Sequence, residues 1–90
     1  MWSVLKHKKV EKILKKTPQQ VKENYVAWKR IVELQGPQGL KNIKGFHDEK
    51  LRGSWEGFRS SRLNYQWRVI YTYEKDVFTV YVMEVSPHKY

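Results

Sequence analysis

Cysteine is absent from the 90 residues, which excludes a disulfide framework and any thiolate metal site. Long apolar runs are missing as well. Without one at the N-terminus no signal peptide is expected, and without one anywhere no membrane span is expected. The expected compartment is the reducing cytoplasm. Acidic residues are scarce: nine Asp and Glu stand against eighteen Lys and Arg, a formal net charge of +9. An excess of this size points to a polyanionic partner. The five glycines form no phosphate-binding loop, and there is no zinc spacing and no nucleophile elbow. Gly53 and Gly57 flank Trp55 without making a GxGxxG pattern, and a bend or bulge in a strand accounts for them. No repeat, low-complexity tract or second domain interrupts the chain. One domain over residues 1–90 is expected, with no cofactor and no metal.

What is present is aromatic and basic. Four Trp and six Tyr supply large side chains to a small core. The charge is uneven. Residues 1–45 carry eleven basic and three acidic residues, and residues 46–90 carry seven and six. The first half is a Lys-rich shell, and the second holds most of the Arg. Arg offers bidentate contacts to phosphate, whereas Lys is a hydrated point charge, so the Arg positions are the sharper signal.

Periodicity gives the order of elements. Residues 2–7 predict a short strand. Val10, Ile13 and Leu14 repeat at helical spacing within 8–16. Thr17 is the expected N-cap of a second helix with Pro18 at its first position. Val21, Tyr25, Trp28 and Val32 form one stripe of it, and Gly36-Pro37 ends it. Residues 36–53 are turn-rich and predict a loop with one helical turn. From Ser54 the period changes to two, which predicts strands at 54–63, 67–73 and 77–85 joined by short turns, hence antiparallel. The expected fold is α+β, in the order β-α-α-β-β-β, with two helices on one face of a twisted, mainly antiparallel sheet.

Several polar residues interrupt the strand-rich region: Arg59, Arg62, Gln66, Arg68 and Glu84. His47, Asp48, Glu49 and Arg52 precede them, and His88 and Tyr90 follow. Buried charge is costly unless paired, so Arg62 and Arg68 are expected to line an open anion site on the face opposite the helices. Several Arg, one or two His, a Glu and a Tyr around one phosphate suit metal-free RNA cleavage. A base takes the 2′-OH proton, Arg stabilises the charge growing on the phosphate, and an acid protonates the leaving 5′-oxygen.

The segment "KLRGSWEGFRSSRLNYQWRVIY" resembles the signature of RelE/HigB-type toxins, part of the RelE/ParE superfamily of type II toxin–antitoxin systems. The matching residues are Leu51, Gly53, Gly57, Phe58, Ser60, Arg62, Asn64, Trp67, Arg68, Val69, Ile70 and Tyr71. The resemblance implies a ribosome-dependent mRNA endonuclease (an mRNA interferase). It would act in the ribosomal A site, leave a 2′,3′-cyclic phosphate, inhibit translation and be silenced by a co-encoded antitoxin. It implies that Arg68 contacts the scissile phosphate. Arg62 stands where YafQ-like members carry a His, which makes it a phosphate ligand. His88 and Tyr90 resemble the C-terminal His and aromatic of several branches. Glu49 lies near the position of an acidic base or a His, and His47 is an equal claimant, so no single general base is assigned. Contacts to RNA or ribosome are expected from His47, Lys50, Arg52, Arg59 and Lys89, and from Lys12, Lys15 and Lys16 on the first helix. Many HigB members end in Asp-Tyr-His, whereas this chain ends in His-Lys-Tyr. Two other readings stand beside the nuclease. One is a ParE-like gyrase inhibitor without nuclease activity. The other is a non-catalytic nucleic-acid binder that stacks bases on Tyr65, Trp67 or Tyr81.

Overall fold

The computed structural model describes residues 1–87; His88, Lys89 and Tyr90 lie outside the described residues. Strand β1 (Ser3–Lys6) leads into helices α1 (Lys8–Lys16), α2 (Gln19–Gln35) and the short α3 (Pro37–Lys41). Four strands follow: β2 (Glu49–Lys50), β3 (Arg59–Arg62), β4 (Trp67–Glu74) and β5 (Thr79–Pro87). The open sheet runs β1-β5-β4-β3-β2. Only β1 pairs in parallel, against β5, and the other pairings are antiparallel. The α+β fold expected from periodicity is the fold observed, with β2 and α3 added inside the turn-rich segment.

The α2 stripe is the centre of the core. Val21, Tyr25, Trp28 and Val32 are buried, and they join Val10 and Leu40 from the other helices and Leu63, Val69, Tyr71, Val80, Val82 and Val85 from the sheet side. Tyr25 stacks on Trp28 at 5.8 Å, and Trp28 meets Tyr71 edge-on at 5.3 Å. Burial pushes the Tyr25 phenol up to about 12, because a phenolate has no water there. In β5 the register slips opposite Ile70–Tyr71. The bulge lets Val80, Val82 and Val85 all face the helices despite their mixed parity.

Gly36 fixes the corner after α2. Its φ of 74° is open to glycine, and a Cβ there would stand 2.5 Å from Trp2 Nε1. Two expectations are corrected at this level. Thr17 does not cap α2: its hydroxyl donates to Ile13 O at 2.6 Å and closes α1. Residues 54–58 are not strand. Gly53 and Gly57 have φ of 68° and 91°, a short helical turn covers Gly53–Trp55, and Trp55 packs edge-on against Phe58 at 5.2 Å. Their β-like composition serves a local aromatic pair instead of a ladder. Among the described residues no helix is long and apolar enough to cross a membrane.

Candidate functional site

Side chains alternate across a strand, so parity in β3 and β4 sorts the cationic groups. Arg59 pairs with Tyr71 and Ser61 with Val69, and Tyr71 and Val69 belong to the helix-covered core. Ser60 and Arg62 therefore face the other way. There Arg62 stands directly opposite Arg68, and Arg68 in turn opposite Ser86 of β5. The adjoining row is Glu49, Ser60, Ile70 and Glu84.

This face bears a cleft of about 80 Å³ lined by His47, Glu49, Ser60, Arg62, Asn64, Tyr65, Gln66, Trp67 and Arg68. Drug-sized ligands need several hundred Å³; a cleft this small admits a group the size of a phosphate. Two Arg directly across a strand pair repel each other. Yet neither has a carboxylate within ion-pair distance among the described residues, whose ion pairs are Lys9–Glu84 and Arg59–Asp48. Arg62 is exposed and Arg68 half-buried. The Nε of Arg68 is buried without a hydrogen-bond partner among the described residues, the arrangement of a donor set that lacks its acceptor. Glu84 is held elsewhere: it lies 3.8 Å from Lys9 Nζ and accepts from Ser86 Oγ at 3.0 Å.

The hairpin that presents Arg62 and Arg68 is closed by Asn64, whose Oδ1 accepts from the amides of Gln66 and Trp67 at 2.8 and 2.7 Å. Such an Asx turn is what the Asn-Tyr-Gln connection favours. Asn24 of α2 ties the hairpin down by donating to Leu63 O at 2.6 Å. Trp67 packs against the core, while Tyr65 is 80% exposed at the cleft mouth. His47 arrives from the other side. Its backbone is left-handed, φ 43° and ψ 48°, a conformation in which His is among the tolerated residues.

The structure thus gathers four of the expected residues, Arg62, Arg68, Glu49 and His47, at one cleft. Of the described residues it does not bring the others there. Arg59 lies on the helix face, where its Nη2 is 2.7 Å and its Nε 2.8 Å from Asp48 Oδ1. Burial lowers the affinity of that guanidinium for its proton, and the Asp48 contacts more than offset this, leaving its pKa above the ordinary value. A guanidinium so engaged is no free anion ligand. Lys50 pairs with Arg59 and shares that side of the sheet. Arg52 borders a separate hollow with Lys50 and Glu56. Lys12, Lys15 and Lys16 are exposed along α1 and do not line the cleft. His88, Lys89 and Tyr90 are outside the described residues.

Sequence reasoning missed Asp48 as more than a loop acid. Its side chain is fully buried. It accepts from Arg59, from Ser61 Oγ at 2.7 Å and from the Tyr71 hydroxyl. Burial, then the hydrogen bond and charge of Asp48, push the Tyr71 phenol far above its ordinary pKa, against the smaller opposing effect of Arg59. Its partners lie 11, 13 and 23 residues away, so no local pattern marks it.

No family profile matches the chain, and no curated protein does. Solved structures do. The archaeal RelE–RelB complex from Pyrococcus horikoshii OT3 contains a chain 25% identical over 96% of this chain and 93% of that one, with a TM-score of 0.76. A YoeB/ParE toxin from Agrobacterium tumefaciens is 14% identical over 97% and 99%, TM-score 0.76. A YafQ mutant from E. coli is 16% identical over 97% and 93%, TM-score 0.68. The chain is similar over nearly its whole length to toxins of the RelE/ParE superfamily.

Proposed function

We propose that this chain is the toxin of a type II toxin–antitoxin pair and acts as a ribosome-dependent mRNA endonuclease. The observation that supports it most is the Arg62–Arg68 pair: two opposed guanidiniums with no carboxylate at ion-pair distance among the described residues, in a cleft they share with His47 and Glu49. A phosphodiester in the cleft supplies the missing negative charge. Arg68, whose buried Nε has no partner among the described residues, grips a non-bridging oxygen, and Arg62 takes the other. Both contacts strengthen as the phosphorane gathers charge, so they act on the transition state more than on bound substrate.

The chemistry needs two proton transfers. Glu49 or His47 removes the 2′-OH proton. The 2′-oxygen attacks phosphorus, the bond to the 5′-oxygen breaks, and that oxygen takes a proton from an acid. The products are a 2′,3′-cyclic phosphate and a 5′-OH. We assign the acid to His88 or Tyr90, which follow Pro87 at the end of β5; no metal is required. The message is presented by the 70S ribosome in its A site, in the cytoplasm, and translation stops. Exposed Lys12, Lys15, Lys16, Lys50 and Arg52, together with the charge of Lys89, add non-specific attraction to ribosomal RNA. A co-encoded antitoxin silences the toxin by laying an acidic or amphipathic segment over the Arg face.

Single-turnover cleavage of mRNA on programmed ribosomes tests the reading. Cuts with cyclic-phosphate ends, lost in Arg68→Ala, support it. Intact message together with gyrase poisoning moves the assignment to the ParE-like inhibitor, which shares the fold.

A further inference from the structure

The cleavage chemistry makes no use of Asp48, although Asp48 is the most tightly held charged group among the described residues. Its carboxylate has no accessible surface. One oxygen receives Nε and Nη2 of Arg59, the other Ser61 Oγ and the Tyr71 hydroxyl. Two of the three donor residues sit on β3 and one on β4, so one loop side chain spans two strands on the helix-covered face. Stability alone does not explain such a group, since buried ion pairs are often replaced by apolar residues without loss. What the four contacts supply is direction.

The direction matters because of the neighbours. Asp48 is flanked by His47 and Glu49, and both line the cleft on the opposite face. Glu49 points there by strand alternation as β2 begins, and His47 by its left-handed backbone. Phe46 packs against the core on one side of this stretch and Leu51 N donates to Phe58 O at 2.9 Å on the other, but neither contact sets the facing of residues 47–49. β2 has only the pairs Glu49–Ser60 and Lys50–Arg59. Ile43, Lys44, Gly45 and His47 are exposed, and a Cβ added at Gly45 would meet nothing within 4 Å.

We infer that Asp48 is a positioning residue: its carboxylate, gripped by Arg59, Ser61 and Tyr71, fixes the 47–49 segment so that His47 and Glu49 face the Arg62–Arg68 cleft. The inference rests on the nuclease reading and deepens it. Arg62 and Arg68 flank the turn of the β3–β4 hairpin, and that turn is closed by Asn64 and tied to α2 by Asn24, at the end of the hairpin away from the Arg59 and Tyr71 contacts of Asp48. The anchor therefore governs proton transfer and leaves phosphate binding alone.

The test compares wild type, Asp48→Asn, Tyr71→Phe and the double variant Asp48→Leu/Arg59→Met. Single-turnover rates are measured against ribosome concentration, each below the variant's melting temperature. Amide hydrogen exchange is followed at Glu49 and Lys50. Asp48→Asn should slow cleavage by about tenfold to a hundredfold, the cost of displacing a reacting group by roughly 1 Å. Half-saturation should stay within about twofold, and exchange at Glu49 and Lys50 should quicken. Tyr71→Phe keeps the ring against Trp28 and three of the four contacts, so its rate should fall between the two. The double variant should regain melting temperature and still cleave slowly. A rate that returns with the melting temperature, or Asp48→Asn at the wild-type rate, overturns the inference while the nuclease reading stands. A wild-type chain that cuts no message overturns the reading itself, and the inference with it.

Discussion

Arg62→Ala should raise the melting temperature of the free protein and sharply reduce its protection by phosphate. The two guanidiniums start from directly opposed positions on β3 and β4, where antiparallel geometry brings the Cβ atoms to roughly 5 Å. At a charge separation of roughly 6 Å in a water-like dielectric, their repulsion is about 0.7 kcal/mol, and like-charged cross-strand pairs cost about 0.2–1 kcal/mol. Arg62 is exposed, so its removal leaves no cavity. A gain near 0.5 kcal/mol corresponds to about 2–4 °C in a domain of this size. The gain should shrink in 1 M NaCl, where the Debye length is about 3 Å. Phosphate reverses the order. With a Kd on the order of 1 mM, 10 mM phosphate stabilises wild type by about 1.4 kcal/mol through mass action, and the variant by far less. Melting curves in low-salt chloride buffer, with and without phosphate, should therefore cross. A variant that melts well below wild type without phosphate, or equal protection of both proteins by phosphate, would refute the anion cleft.

Arg68→Ala should leave stability within about 1 kcal/mol of wild type while cleavage falls about a hundredfold or more; Arg68→Lys should rescue poorly, since Lys lacks the planar fork. Glu49→Gln and His47→Gln, assayed side by side on programmed ribosomes, identify the general base. One should lose about 10²–10⁴-fold and the other only severalfold, and small losses in both would place the base outside this loop. Alkaline unfolding reports the buried phenols. Tyr25 keeps its proton up to about 12 in the folded state but loses it near 10 when unfolded. Its stabilising effect is therefore full below pH 10 and is lost as pH rises through about 12, with a slope of about 1.4 kcal/mol per pH unit. Tyr71 is shifted in the same direction, and chemical denaturation between pH 9 and 11 should show a shallower decline for Tyr25→Phe than for wild type.

The parts of the fold that were legible in the sequence are those where one physical rule acts alone. The α2 stripe has a period of 3.6 and one buried side, and all four of its residues are in the core. β4 is legible because Val69, Ile70 and Tyr71 are both β-formers and fully buried. Segment 54–58 misleads because Trp55 and Phe58 satisfy the β-propensity pattern through contact with each other, while two glycines at positive φ turn the chain away from the ladder. Thr17 misleads for a similar reason: a hydroxyl between two helices can serve either, and here the i−4 carbonyl of α1 takes it.

The cleft was half legible, and parity explains which half. Positions 59 and 62 differ by an odd number, so within one strand they face opposite sides of the sheet; Arg59 and Arg62 could never have bound one phosphate. That signal was present in the sequence once β3 was aligned with β4. The Asp48 network had no such signal, because its partners meet only when the sheet forms. Placing Asp48 also strengthens the case for an external anion. Asp48 is committed to Arg59, Glu84 to Lys9 and Ser86, and Glu74 accepts from Tyr81. Among the described residues Glu49 is the single carboxylate lining the cleft that Arg62 and Arg68 share, and one carboxylate cannot neutralise two guanidiniums. A surface built only to press against an apolar protein partner gains nothing from keeping two like charges face to face in the free state. A surface that must seize a phosphodiester gains its affinity, and its transition-state preference, from that arrangement.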